Sequence, residues 1–381
     1  MQIETLSHTS GSGWSVGEFP ALDSESTLLT VFGGSERLDD STALTDLLAA
    51  YPRAHAIGCS TSGEIYGTTI NDHSLSVAIC KFQGTRLRSA VAPVRTASDS
   101  REAGRRLGQE LLAPDLRGVF VVSDGLRVNG SELLRGLNEV LPPSVVVTGG
   151  LAGDGDRFQR TWVIAGHQAK EGFVSAVAFY GERVRLGHGS KGGWDIFGPE
   201  RIVTRSKGNV LHEIDGKPAL ALYKDYLGNR AAGLPGTALL FPLSLRASRQ
   251  DPKTLVRTIL SIDETEQTMT FAGDVPEGSI VQLMRANFDR LIEGASHAAR
   301  LTTATTGAEL PGESLAIAIS CVGRRLVLGQ RTEEEVEAAK DALPSGAHLT
   351  GFYSYGEISP YTTGRCDLHN QTMTLTNIQE T

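Results

Sequence analysis

The stretch Gly351-Phe352-Tyr353-Ser354-Tyr355-Gly356-Glu357-Ile358 occurs in a second version earlier in the chain, as Gly58-Cys59-Ser60-Thr61-Ser62-Gly63-Glu64-Ile65. Both read Gly-x-x-[Ser/Thr]-x-Gly-Glu-Ile. Upstream, Ala54-His55-Ala56-Ile57 answers Ala347-His348-Leu349-Thr350, each behind a proline (Pro52, Pro344) and a segment with helical spacing of apolar residues. Downstream, each copy passes through a polar turn into a strand pattern entered by a histidine, His73 before 75–79 and His369 before 372–375. This double occurrence predicts two related lobes that end on similar loops.

Working outward, residues 28–32 form a short β-branched and aromatic run closed by Gly33-Gly34, which reads as a strand. Asp40 or Ser41 can cap the helix that follows, with Leu44, Leu47 and Leu48 on its apolar face. Strands are expected at 54–59, 75–82 and 87–93, a helix over 98–112, a strand at 119–122, a helix over 131–141 and a strand at 145–147. The C-terminal half runs in the same order: helix 286–299, strand 315–320, helix 333–342, then the strand that delivers Gly351. Between the halves, strands are expected around Trp162, at 173–180 and at 184–189, with a loop holding Trp194 and Phe197 and a helix over 219–227. The fold class is mixed α/β: two pseudo-repeated lobes, 27–228 and 229–378, each a mixed sheet with helices, stacked as an α-β-β-α sandwich so that the sheets cover each other.

A length of 381 residues suffices for two or three cores, and 43 glycines point to tight loops and close backbone approaches. A net charge of −8 with no cluster of Lys and Arg argues against nucleic acid and against anionic membranes. No apolar run reaches the ~20 residues a spanning helix requires. The first residues, Met1-Gln2-Ile3-Glu4-Thr5, have neither the basic nor the apolar region of a secretory signal. Four scattered cysteines without a Cys-x-x-Cys pair disfavour a zinc knuckle and fit reduced thiols in a cytoplasm.

Four motifs now stand in order: Gly149-Gly-Leu-Ala-Gly-Asp154, Gly208-Asn-Val-Leu-His-Glu-Ile-Asp-Gly-Lys-Pro-Ala219, Gly351 to Pro360, and Leu368-His-Asn-Gln-Thr372. Together they make the chain resemble bacterial FIST-domain proteins, with an N-terminal and a C-terminal FIST module over roughly residues 27–378. The resemblance implies a sensory module that binds a small ligand. It further implies that some members hold haem, sense nitric oxide and work beside a histidine kinase or a cyclic-di-GMP enzyme, so that output would pass through a separate partner.

Candidate site residues follow from chemistry. Gly149 and Gly150, with Asp154 beside them, offer either an anion-binding floor with a carboxylate for a ligand amine or a tight turn whose Asp caps its own backbone. Glu64 and Glu357 offer either two equivalent ligand-binding carboxylates or one turn device used twice. Ser60, Thr61, Ser62, Ser354 and Tyr355 bring adaptable hydroxyls to the same loops. Arg324 can pair with a ligand carboxylate or lie on the surface. Cys321 leaves a thiol reaction open, although no Gly-x-Ser-x-Gly elbow supports a hydrolase. If haem binds, it does so without a Cys-x-x-Cys-His attachment, and His188, with Gly187 and Gly189 leaving space round it, is the candidate axial ligand. An enzyme of unassigned chemistry and a protein-binding scaffold are the rival readings to a sensor.

Overall fold

Thr27–Gly33 is buried at every position, as an apolar strand covered on both faces must be. In the computed structural model, which describes residues 1–251, 253–306, 312–361 and 365–381, it is the centre of a four-strand set. It pairs in parallel with His55–Ser60 across the helix Thr42–Ala50, and antiparallel with Ser74–Lys81, which pairs in turn with Gln2–Thr9. The same order recurs around Leu116–Ser123, flanked by Val146–Leu151 and Phe173–Tyr180, with Arg86–Pro93 outermost and Gly130–Val140 as the crossover helix. It recurs again around Ser314–Cys321, flanked by Ala347–Ser354 and Met373–Glu380, with Val184–Lys191 outermost and Thr332–Asp341 crossing over.

Each set is completed by a hairpin from another. Glu64–Tyr66 with Thr69–Asn71 leaves the first set and pairs with Ala347–Ser354 of the third. Val163–Ile164 with Ala169–Lys170 leaves the second and pairs with the first at Val163 and Cys59. Gly356–Pro360 with Cys366–His369 leaves the third and pairs with Val146–Leu151 of the second. The exchange is cyclic, so no sheet ends at the parallel strand it would otherwise leave as an open edge.

The inner faces of all three sheets share one core, to which Phe32, Phe120, Ile317 and Phe352 contribute. Phe32 and Phe352 meet there at 4.7 Å between ring centroids. The outer faces are covered by helices: Thr42–Ala50 on the first, Ser100–Leu111 and Gly130–Val140 on the second, Phe288–Thr306 and Thr332–Asp341 on the third. The expected packing of sheets against each other is thus met by three sheets round one core.

The second set escaped recognition as a further repeat because its loop departs from the motif. Gly149 occupies the place of Gly58 and Gly351: a Cβ at these positions would lie 1.8, 1.7 and 1.8 Å from the carbonyl oxygens of Val31, Val121 and Ala318, in the order 58, 149, 351. A longer loop, 152–162, follows Gly149, and Val163 stands where the other two copies have glutamate. The two histidines are also not equivalent. His73 shares its left-handed φ of 59° with Gln371, not His369, immediately before the matching residues Ser74 and Thr372.

Between Val184–Lys191 and Phe288–Thr306 lies an eight-stranded sheet built on Asp195–Lys207, Val210–Ile214, Leu243–Arg246 and Ile280–Arg285, covered by the helix Ala219–Leu227. Phe197, expected in a loop with Trp194, lies in the strand Asp195–Lys207. Among its residues only Val203 is buried, and its register shifts, so no period-two apolar pattern marks it in the sequence.

Candidate functional site

Glu64 and Glu357 are held by the same device. Thr61 Oγ1 donates to Glu64 Oε1, and Ser74 donates to Oε2 through N at 2.9 Å and Oγ at 2.8 Å. Ser354 Oγ donates to Glu357 Oε1 at 2.9 Å, and Thr372 donates to Oε2 through N at 3.2 Å and Oγ1 at 2.9 Å. Each carboxyl ties the end of its exchanged hairpin to the start of a long strand. Burial pushes both up, Glu64 to about 7 and Glu357 to about 8, and the donated hydrogen bonds only partly counter it.

From here the two copies diverge. Thr61, Ser62 and Glu64 line a cavity of about 620 Å³ between the first and third sets. Its other walls bring Arg157, Arg325, Glu36, Asp72, His73 and Glu333. Arg325 grips Asp72 with two hydrogen bonds of 2.7 Å and donates to Ser62 O at 2.6 Å. Arg157 is exposed, donates to Ser35 Oγ at 3.2 Å and makes no salt bridge among the described residues, although its charge reaches Asp72. Glu357 and Ser354 are buried as well, but neither is in the wall of this cavity.

Asp154 caps its own loop. It is fully buried, and its carboxylate accepts from the amides of Phe158, Gln159 and Arg160 at 2.9 Å each and from the Tyr355 hydroxyl. The loop so folded places Gly155 to Arg157 in the polar cavity, while Phe158 stacks on Tyr355 at 4.5 Å on its other side. Gly149 and Gly150 do not floor a cavity. They lie within a strand where backbone and Ile319 approach too closely for a side chain. Ser60 is buried, and its Oγ accepts from Trp162 N at 3.0 Å.

Arg324 and Arg325 take opposite roles. Successive residues on a helix point about 100° apart, and within Val322–Leu328 this sends Arg324 inward and Arg325 to the cavity. Arg324 is fully buried. It meets Glu335 through Nε at 3.0 Å and Nη2 at 2.7 Å, and donates to the carbonyls of Gly192, Leu291 and Gln371. Glu335 also accepts from Ser320 Oγ and Tyr353 OH. Sequence reasoning chose the wrong member of the Arg-Arg pair and missed Arg157. An arginine directly after a strand-to-helix turn was the available signal, and which of the two faced the cavity was not.

Cys321 is buried and its thiol is pushed up to about 12 by desolvation, which leaves little thiolate for attack. His188 does not fit an axial ligand. The space beside Gly187 and Gly189 is filled by the backbone of Phe288–Thr306, whose Thr302 and Ala298 carbonyl oxygens would lie 2.1 and 2.0 Å from an added Cβ. His188 itself is 6% exposed, and burial lowers it to about 4.

Fold and site together describe a mixed α/β protein with a polar cavity, lined by side chains of both charges, where its modules meet. The sequence matches the FIST N domain over residues 27–217 and the FIST C domain over 219–360. The chain belongs to the FIST family, whose domains are sensory, small-ligand-binding modules of signalling proteins. No curated protein matches the chain. Among solved structures, the chain is similar to a cyanuric acid hydrolase from A. caulinodans, with a TM-score of 0.37, 9% identity and coverage of 100% of this chain and 98% of that one. No helix among the described residues is long and apolar enough to cross a membrane.

Proposed function

We propose that the protein senses a small zwitterionic, amino-acid-like metabolite in the polar cavity. The observation that supports this reading is the cavity's mixed lining: Arg157 and Arg325 for a carboxylate, Glu36 and Glu333 for an ammonium, and the hydroxyls of Thr61 and Ser62 between them. Arg157 is the side chain freest to take the carboxylate. The cavity joins the first set of strands to the third, so an occupant bears on both FIST modules. Output passes to a separate partner of the kind the family resemblance implies, a histidine kinase or a cyclic-di-GMP enzyme. Four unpaired cysteines support a reducing, cytoplasmic setting. The haem and nitric-oxide branch of the family draws no support from His188.

Calorimetric titration of the full chain with free amino acids tests the reading. At least one should bind, and Arg157→Ala and Glu333→Ala should each weaken it about tenfold, the loss expected for a charge-assisted hydrogen bond. Arg157 and Glu333 are exposed, so both variants should keep their melting temperature. Absence of binding by any amino acid, or affinity indifferent to both substitutions, would refute the proposal.

A further inference from the structure

On the other side of the Val322–Leu328 helix and the 152–162 loop is a second cavity, of about 260 Å³. Gly125 and Leu151 enter its wall from the second set of strands, Cys321 and Tyr355 from the third, and Thr258 and Phe271 from the inserted sheet. Val322 stands in the walls of both cavities. The chemistry differs sharply from that of the polar cavity. No charged side chain lines this one among the described residues. Three large apolar side chains in its wall, Leu126, Phe158 and Leu260, are 40, 46 and 42% exposed.

Against this apolar background two polar atoms are left without a partner. Thr258 lines the cavity, is 4% exposed, and its Oγ1 has no hydrogen bond. Gln371 is fully buried behind Gly323 and Leu239, both of which line the cavity. Its Nε2 reaches Leu239 O at 3.5 Å, while its Oε1 has no partner. An unpaired buried hydroxyl or carbonyl costs free energy that a bound donor would recover. Exposed apolar groups gathered at one opening are equally unusual for a surface that stays in water.

We propose that this cavity is a second ligand site, which takes an uncharged, largely apolar small molecule bearing one hydroxyl or amide N–H. The apolar body fills the space among Leu151, Phe271 and Leu126, and the single polar group pairs with Thr258. A charged ligand is disfavoured because no counter-charge lines the wall to offset its desolvation. Apart from Val322, the site uses different side chains from the polar cavity, and it stands or falls separately from it.

Fluorescence titration of the full chain with 2-naphthol tests the site, with naphthalene and 2-naphthoate as the probes lacking the hydroxyl and carrying a charge. Saturable binding of 2-naphthol at one per chain is expected, with 2-naphthoate at least about tenfold weaker. Thr258→Val should weaken 2-naphthol about tenfold and leave naphthalene within about twofold. Leu126→Glu, at an exposed position that keeps the fold, should weaken both, and Arg157→Ala neither. Lack of saturable binding, equal binding of 2-naphthoate, or 2-naphthol affinity unmoved by both Thr258→Val and Leu126→Glu would overturn the proposal. Amino-acid binding unaltered by Thr258→Val would show the two sites to be separate.

Discussion

At the scale of single residues, the two glutamates that first drew attention to the repeat are structural clasps with a pH signature. Their carboxyls rest at about 7 and about 8 in the folded protein, against an unfolded value near ~4.3. Between these values the folded state holds protons that the unfolded state has released, so stability falls as pH rises. Their contribution is fully present below about pH 4.5 and is lost as pH passes through 7 to 8, at roughly 1.4 kcal/mol per unit for each group. Glu357→Gln mimics the protonated carboxyl: its oxygen accepts from Thr372 while its amide donates to Ser354 Oγ. Urea denaturation at pH 5 and pH 8.5 should therefore show a shallower pH dependence in Glu357→Gln than in the wild type. An unchanged slope would count against a protonated Glu357.

At the scale of elements, the Val322–Leu328 helix separates packing from recognition within two residues. Arg324 and Glu335 form a fully buried pair with its hydrogen-bonding capacity satisfied on both sides. Removing one member strands a buried charge, so Arg324→Met should cost about 3–5 kcal/mol, while adding Glu335→Leu should restore much of it. Arg325→Ala, at a partly exposed ion pair, should lower stability by less than about 1 kcal/mol. Chemical denaturation of the two single variants and the double variant checks this contrast, and equal losses at Arg324 and Arg325 would contradict it. Gly149 illustrates the same division. Read as a cradle for an anion, it serves to bring two strands together.

At the scale of the whole molecule, the cyclic exchange of hairpins makes the two FIST modules one cooperative body. A fragment of residues 1–218 lacks Gly356–Pro360 to complete its second sheet, and the remainder lacks Glu64–Tyr66 and Val184–Lys191 for its third. Each fragment also leaves one side of the shared core open. Expressed alone, 1–218 and 219–381 should give no dispersed amide spectrum, and mixing them during refolding should recover one. A well-dispersed spectrum from either fragment alone would refute this dependence.

Much of the local structure was legible because it is written in local chemistry. Buried strands such as Thr27–Gly33 are continuous apolar runs, and helices such as Gly130–Val140 carry a periodic apolar stripe. The clasp glutamates were legible because both copies keep the same residue types at the same spacing. Less of the candidate site could be read. Thr61, Ser62 and Glu64 meet Arg157 and Arg325 across long stretches of chain, and sequence spacing carries no information about that approach.

The sequence by itself determined the mixed α/β class, the order of most core strands and helices, and membership of the FIST family through four ordered motifs. Each of these depends on side chains near one another along the chain. Only the tertiary structure decided that the unit occurs three times, that its hairpins pass from one sheet to the next, and that Arg324 is buried while Arg325 is presented to a cavity. Strand pairing is made by backbone groups that every residue carries, so the partner of a hairpin is selected by the packing of the whole core rather than by the hairpin's own residues.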